Sequence, residues 1–452
     1  MDTEPVTPRA PLFSSRDLRR LIIPVVIEQA LALTVGMVDA MMVSAASEAA
    51  MAGVSLTDTI AILLINIFSS FASGGAILIG QLYGAGDTAK TRRASSQLVY
   101  VAFFLSVLIT AVCLALNKQI LALVYGKIDV SVMFSASSYF YVTALSYPFI
   151  ALFNSSAALL RITGNTRSPM LISLAMNALN IAGNALFIYG LHWGAFGAGL
   201  STTIARTLAG LTMLFMLRDK KLSICVRSYK FWKLDWFVIK RLLHFGIPSG
   251  LENSIFQLGK IALSGLVSTL GTAAIAANSV INNIGGLQVL PGQAMSSVMM
   301  TVISQCVGAG EIGQAKRYFK RLMCMTYAGM LVFAVGMYLL RAQLLGLYNI
   351  SEETFALASK IMLIHSFGAG LLWTISFLPS TAVRSAGDVV YPMVIAIVSM
   401  MLWRVGIGYL LVYTTNLGIY GVYIGILVDW AFRGATYMRR YMKGRWTRIA
   451  LE

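Results

Sequence analysis

Charged residues are scarce in this chain. Asp, Glu, Lys and Arg make up only 12% of its 452 residues, whereas 58% of the residues are hydrophobic. An ordinary soluble domain carries roughly 25% charged residues, because polar side chains must cover its surface. A soluble fold is therefore excluded for most of the chain, and lipid is its expected solvent.

Cysteine and histidine are also few and scattered. The four cysteines show no Cys-x-x-Cys spacing, which argues against a zinc site or a disulfide framework. No nucleophile, base or metal ligands cluster around the three histidines, and no Walker A motif for ATP occurs. We therefore predict that the protein is not an enzyme and holds neither a cofactor nor a metal centre. The histidines are His192, His244 and His365.

Long apolar runs, by contrast, are abundant. A helix needs about 20 residues to cross about 30 Å of hydrocarbon. The sequence contains twelve such runs, so we predict an all-α polytopic membrane protein with about twelve transmembrane helices. They lie near 21–45, 52–80, 97–117, 132–160, 169–190, 196–217, 244–269, 275–304, 321–341, 355–384, 391–413 and 418–439.

The basic residues follow the loops between these runs. With the N-terminus inside the cell, only four of the 35 Lys and Arg residues fall in outer loops and three inside spans; the other 28 fall in inner loops and tails. This bias predicts that both termini are cytoplasmic and that the protein sits in the cell (inner or plasma) membrane among its lipids. Because the clusters are short and flank spans, the net charge of +17 does not predict nucleic-acid binding.

The chain repeats itself at an offset of 224 residues. Pro24 and Glu28 align with Pro248 and Glu252, and the residues 81–87 align with 305–311. Each half contains six spans, so the halves are predicted to be two lobes related by a pseudo-two-fold parallel repeat.

The predicted boundaries follow from the repeat. The N-terminal lobe is residues 1–217, a basic cytoplasmic linker is 218–243, and the C-terminal lobe with its basic tail is 244–452. Trp232 and Trp236 alternate with lysines in the linker, a pattern typical of a segment lying at the lipid headgroups.

Ionisable groups at membrane depth are expensive, and we therefore treat them as candidate functional residues. The first span carries Glu28 and Asp39, which lie on one helix face because eleven residues make about three turns. The fifth span carries Asn177, Asn180 and Asn184 on one face. These amides either serve the site or tie helices together.

The second lobe offers a different set. Glu252 is the repeat equivalent of Glu28 and is predicted to face a central cleft, with Gln257 and Lys260 on the same helix as candidates for binding substrate. A Glu252–Lys260 pair is within side-chain reach. His365 on the tenth span is a further candidate.

Two other intramembrane cations and one missing acid complete the comparison of the lobes. Arg206 and Arg404 are expected to snorkel or to bind backbone carbonyls. Asp39 has no acidic counterpart, because the aligned position is Leu263.

Several stretches resemble the multidrug-and-toxin-extrusion (MATE) transporters of prokaryotes. The resemblance covers essentially the whole chain. It rests on PVVIEQALALTVGMVD at 24–39, GGAILIGQLYGAGDTAKTRR at 74–93, RITGNTRSPM at 161–170 and RYMKGRW at 440–446.

The resemblance also implies site residues. In similar proteins the first-span aspartate works with polar groups on the fifth and sixth spans, which here are Asn180, Asn184 and Thr202. Asn184 stands where an aspartate is common, which weakens the case for sodium and favours Asp39 as a proton carrier. Glu28 is a second candidate for ion coupling and for substrate binding.

The implied function is secondary active antiport. A monomeric two-lobe exporter of amphipathic organic cations, driven by protons or by sodium, is the expected activity. The alternative is a flippase for lipid-linked oligosaccharides or polysaccharides from the same superfamily. The intramembrane cations favour the flippase, whereas the twelve spans and the intramembrane carboxylates argue against it.

Overall fold

The computed structural model describes residues 11–44, 48–126, 129–226, 234–348, 350–444 and 446–447. Within these ranges the chain forms helices and no strand, and twelve of the helical segments are long. The predicted all-α architecture and the number of long helices are therefore confirmed. The segments are α1 (Ser15–Ser44), α2 (Glu48–Gly84), α3 (Thr88–Ala115), α4 (Val130–Ala144 with Tyr147–Ile162), α5 (Arg167–Gly190), α6 (Gly194–Met216), α7 (Trp236–Ser268), α8 (Thr272–Gly308), α9 (Ile312–Leu339), α10 (Glu352–Ser385), α11 (Val390–Thr414) and α12 (Ile419–Met442).

Six of these helices qualify as membrane spans by length and apolar composition alone. A seventh qualifies if the two parts of α4, which meet at 48°, count as one span; only the described residues enter this comparison. The bend in α4 falls just before Pro148, whose ring cannot continue the preceding hydrogen-bond ladder.

The sequence repeat is visible in the helix plan. A short helix, Asn117–Tyr125, follows α3, and a second short helix, Arg341–Gly346, follows α9 at the equivalent place. Three π-helical segments widen the later spans of the lobes, a feature often found at functional positions. They are Ala185–Gly190 in α5, Ala369–Trp373 in α10 and Ser399–Gly406 in α11.

The N-terminal part of the first helix of each lobe packs against the opposite lobe. Leu18 and Leu21 of α1 are buried in the same core as α8 and α9, whereas Leu242 and Phe245 of α7 are buried in the core of α2, α3 and α4. These residues are equivalent under the repeat, so the exchange is reciprocal. It joins the lobes at one end of the bundle.

The same end carries a second reciprocal contact, where α2 and α8 terminate. Gln81 Nε2 donates to the carbonyl of Ser385 at 2.9 Å, and Gln305 Nε2 donates to the carbonyl of Ile162 at 2.5 Å. A Cβ on Gly84 would overlap the backbone of Gln305. This end, called the inner end below, is the side that the loop charges predict to be cytoplasmic, and here the lobes are closed against each other.

A helix begins within the stretch 218–243 that was predicted to be the linker, whose boundaries stay a prediction. Helix α7 begins at Trp236, because Asp235 caps it by accepting the backbone N–H of Val238 and also pairs with Arg93. The charged residues of its first turns had suggested a loop. Trp232, the other tryptophan expected at the headgroups, lies outside the described residues.

Candidate functional site

Asp39 lies against the fifth span, inside the N-terminal lobe. Asn184 Nδ2 donates a hydrogen bond to Asp39 Oδ1, which joins α1 to α5. Asn184 is fully buried, and its own carbonyl oxygen Oδ1 has no hydrogen-bond partner. The side-chain amide of Asn184 therefore donates to one oxygen of Asp39, and its own oxygen remains available as a hydrogen-bond acceptor.

One turn earlier on α5, Asn180 contacts the sixth span. Its Nδ2 donates to Thr202 Oγ1 at 3.1 Å, and Ser201 Oγ donates to the backbone carbonyl of Asn180 at 2.7 Å. The structure thus brings Asn180 together with Thr202, and Asn184 together with Asp39. Asn177 is buried farther along the same helix, and its Nδ2 has no partner.

A second carboxylate lies in this lobe that the sequence analysis missed. Asp58 on α2 accepts a hydrogen bond from Tyr139 Oη at 2.9 Å. Arg206 on α6 interacts electrostatically with both Asp39 and Asp58 and donates to Ser146 Oγ at 3.2 Å. The rule that singled out Asp39, an acid inside an apolar run, also applies to Asp58 and would have found it.

The two glutamates of the repeat each pair with the arginine that ends the fourth span of their own lobe. Arg161 contacts Glu28 at 2.5 Å, and Arg384 contacts Glu252 at 2.8 Å. Arg433 of α12 adds a second contact to Glu252 at 3.4 Å. Both arginines occupy equivalent places in the repeat, which is the signal that could have predicted these pairs.

The structure therefore contradicts the ion pair between Glu252 and Lys260 that was considered from the sequence. Two arginines occupy the Glu252 carboxylate, and α7 carries Lys260 two turns farther along and around its axis. Lys260 instead lies over the ring of Phe256 at 5.2 Å.

A cavity of about 720 Å³ lies between α2 of the first lobe and the helices of the second lobe. Glu252, Lys260 and His365 line it. The sequence predicted a place at a central cleft for Glu252, and the role of all three in binding substrate stays a prediction. Glu28 and Gln257 are not among the described residues of its wall. Glu28 lies instead in its ion pair with Arg161. Serines and an asparagine of α2 form the opposite wall: Asn66, Ser69, Ser70 and Ser73.

The expectation for Arg404 is also wrong. Its guanidinium forms an ion pair with Asp429 of α12 at 2.7 Å and does not snorkel. Ser399 Oγ donates to the other oxygen of Asp429 at 2.5 Å. Asp429 is completely buried and was missed from the sequence, although it too is an acid within an apolar span.

His365 is enclosed by the second lobe. Its Nδ1 lies 3.1 Å from Gln288 Oε1, and its ring packs against Tyr423 and Trp430. The ring also touches the cavity. The contacts fix the ring, and they leave its predicted substrate role open to experiment.

Twelve long helices in two duplicated lobes, with charges buried at the depth of the spans and a cavity between the lobes, define a membrane transporter of the duplicated-lobe class. A family model described as MatE matches residues 24–186 and 248–410, two stretches offset by 224 residues. The matched stretches cover more than half of the chain, so the chain belongs to the MatE family. The resemblance stated from the sequence is confirmed, and the protein is a transporter and not an enzyme.

Named relatives cover nearly the full length of the chain. The uncharacterized transporter YisQ of Bacillus subtilis is 27% identical over 437 residues, which cover 94% of this chain and 93% of YisQ. The probable multidrug resistance protein NorM of Thermotoga maritima is 23% identical over 446 residues, which cover 96% of this chain and 94% of that NorM.

A solved structure shares the fold. The outward-facing conformation of a multidrug resistance MATE family transporter of the MOP superfamily superposes with a TM-score of 0.89 at 19% identity, over 96% of each chain. At this identity the likeness shows the two-lobe fold alone.

Proposed function

We propose that this protein is a secondary active multidrug exporter that exchanges amphipathic organic cations for protons, with Asp39 as the coupling group. The observation that carries the proposal is the Asp39–Asn184 hydrogen bond between α1 and α5. A part-buried carboxylate at membrane depth is expensive and is a functional candidate by default. The multidrug names of the relatives support drug-like cargo.

Asn184 suits a carboxyl group that changes protonation state. Its NH₂ group donates to the ionised carboxylate, and its unpartnered oxygen Oδ1 can accept from the protonated acid after the amide turns over. An aspartate at this position would compete for the proton and favour a metal ion. The neutral amide therefore supports proton coupling, with sodium as the alternative ion.

The charge of the N-terminal cluster suits a simple exchange. With Asp39 and Asp58 ionised, these two carboxylates and Arg206 carry a net charge of −1, so one proton neutralises the cluster. An organic cation and a proton would then compete for the same negative charge. Protonation shifts the balance between two conformations of the lobes only if those conformations differ in their affinity for the proton. A conformation in which α1 and α5 separate would lose the Asn184–Asp39 hydrogen bond and so would differ in this affinity.

The test is transport of ethidium in proteoliposomes under an imposed pH gradient and, separately, under a sodium gradient. We expect export driven by the pH gradient in the wild type and its loss in Asp39→Asn. Asp219→Asn, which removes an exposed acid between the lobes, is the matched control and should export normally.

Each other outcome has a definite meaning. Export driven only by sodium would indicate that the coupling ion is sodium and not a proton. The sodium ion would then bind at Asp39, Asn180, Asn184 and Thr202. Unchanged export by a correctly inserted Asp39→Asn protein would refute the coupling role of Asp39.

A flippase for lipid-linked oligosaccharides is the second candidate. It is favoured by the cationic side chains on the cavity wall, which suit a phosphate-bearing lipid. Translocation of a lipid-linked sugar in liposomes, without ethidium export under either gradient, would favour the flippase over the exporter.

A further inference from the structure

The cavity wall carries more positive than negative charge. Four cationic side chains line it, whereas Glu252 is the one carboxylate among its described lining residues. Asp429 lies behind the wall and pairs with Arg404. Counting both acids, these groups carry four positive charges and two negative ones. The cationic residues are Lys260, Arg384, Arg404 and Arg433.

Lys260 contributes one of the uncompensated charges. Among the described residues no carboxylate lies within ion-pair distance of its ammonium group, which instead stands over Phe256. Arg404 stands over the same ring, with Cζ at 4.9 Å from its centroid. Two cations on one aromatic ring concentrate positive charge at this part of the cavity wall, which favours binding of an anion there.

Arg433 contributes the second. Its side chain is only 1% exposed, yet Nε and Nη1 have no hydrogen-bond partner. Its Nη2 shares the Glu252 carboxylate with Arg384. The buried indole nitrogen of Trp430, on the same helix and also on the cavity wall, lacks a partner as well. Unmade hydrogen bonds on buried donors are costly, and an acceptor in the cavity would satisfy them.

The surroundings of these donors are aromatic. Phe377 lies 4.8 Å from the Arg433 guanidinium and stacks on Trp373 at a centroid distance of 4.5 Å. Both rings line the cavity together with Phe256 and Met300. The wall therefore offers charge-assisted donors beside an apolar surface of a size that drug-like molecules fill.

We propose that the second lobe holds an anion-binding subsite, formed by Lys260, Arg433 and the indole N–H of Trp430, which takes a sulfonate, carboxylate or phosphate group attached to an apolar body. This proposal rests on the proposed function in treating the cavity as a cargo site. It extends the cargo from organic cations to amphipathic molecules with an acidic group.

The test compares two probes with one apolar body and opposite charges, 2-naphthalenesulfonate and 2-naphthyltrimethylammonium. Equilibrium binding of each radiolabelled probe is measured on the full-length protein in nanodiscs of phosphatidylcholine. Wild-type protein should bind the sulfonate. Lys260→Gln should weaken sulfonate binding by at least about tenfold, the effect of losing a charged hydrogen bond, and should strengthen binding of the ammonium probe by removing repulsion.

Lys240→Gln provides a matched control, because Lys240 is an exposed lysine on the same helix outside the cavity wall. It should bind both probes as the wild type does. Arg433→Lys keeps the charge but removes the free guanidinium donors, and should also weaken the sulfonate selectively. Thermal unfolding of each variant separates these effects from loss of the fold.

Several results would overturn the proposal. Wild-type protein that binds only the ammonium probe has no anion subsite, and equal weakening of both probes by Lys260→Gln would indicate general damage to the cavity. Ethidium export with no sulfonate binding would sink this inference and leave the proposed function standing. Sulfonate binding without ethidium export under either gradient would refute the proposed function and leave this inference standing.

The source of the acidic group is resolved by adding phosphatidylglycerol to the nanodiscs. Displacement of the sulfonate by this lipid supports the subsite and identifies a lipid headgroup as its occupant. Retained sulfonate binding in the same nanodiscs supports the subsite with a dissolved organic anion as cargo.

Discussion

The two lobes share one helix plan and differ in the charges that they bury. Some contacts are kept in both copies: Gln81 and Gln305 make equivalent contacts between the lobes, and Arg161 and Arg384 make equivalent ion pairs within each lobe. Other charged interior positions are not kept. Asp39 and Asp58 in the first lobe correspond to Leu263 and Asn282 in the second. In the opposite sense, Arg433 in the second lobe corresponds to Ala209 in the first.

This difference indicates that duplication supplied a symmetric frame whose interiors then diverged. The first lobe now carries the acids Asp39 and Asp58, and the second carries cations around an aromatic cavity. A symmetric frame allows the lobes to move against each other, whereas unequal interiors give each lobe a task of its own.

The largest expected effect comes from breaking the buried ion pair of the second lobe. Arg404→Leu leaves the completely buried Asp429 carboxylate without its cation, which should cost about 3–5 kcal/mol of unfolding free energy. The double variant Arg404→Leu with Asp429→Leu should recover much of that loss. Thermal unfolding of the detergent-solubilised protein measures both.

Arg206→Leu is the matched change in the first lobe. Arg206 is only half-buried and donates a hydrogen bond to the Ser146 hydroxyl, so the variant should be destabilised clearly less than Arg404→Leu. Equal losses in the two variants would contradict the expectation that the completely buried Arg404–Asp429 ion pair contributes more to stability than the contacts of Arg206.

An intermediate effect is expected at the symmetric inner end. A methyl group on Gly84 would overlap the backbone of Gln305, and one on Gly308 would overlap that of Gln81. The added methyl group of Gly84→Ala or Gly308→Ala should hold the inner end open. Each variant should lower export by roughly tenfold without destabilising its helix, because alanine is the most favourable residue in a helix interior. The distance between spin labels on α2 and α8 reports the opening.

Gly313→Ala serves as the control, since no atom lies within 4 Å of its added Cβ. It should export normally. If only one of Gly84→Ala and Gly308→Ala opened the inner end, the closure would not be the symmetric contact that the repeat implies.

The smallest effect is expected at the loops that follow α2 and α8. Asp87 caps α3 by accepting the Lys90 N–H, and this bond lowers the pKa of its carboxyl group, whereas the equivalent Glu311 makes no side-chain cap on α9. A lowered pKa means that the stabilisation is present above the unfolded pKa of about 4 and is lost as the pH falls through the folded pKa. Asp87→Ala should therefore lower the melting temperature slightly at pH 7.

The same melting experiment at low pH completes this comparison. The difference between wild type and Asp87→Ala should shrink below about pH 4, as the wild-type carboxyl takes up its proton. Glu311→Ala should change the melting temperature less than Asp87→Ala at pH 7. A difference that grows on acidification would show that the carboxylate does not stabilise α3.

The sequence by itself determined the twelve long helices and the duplicated plan of the lobes. Both are recorded along the chain, as hydropathy over a span and as identities at a fixed offset, so no knowledge of packing is needed to find them. The same local rules placed Asp39 on the first span, and they would have found Asp58 and Asp429 had they been applied to every apolar run.

Only the tertiary structure decided which charges meet. Glu28 pairs with Arg161, Arg404 with Asp429, and Lys260 with no carboxylate among the described residues, although Lys260 shares a helix with Glu252. Partners on different helices are chosen by the rotation and crossing of those helices, which depend on the packing of both lobes at once. For that reason the positive charge of the cavity, and with it the proposed anion subsite, could not be derived from the order of the residues.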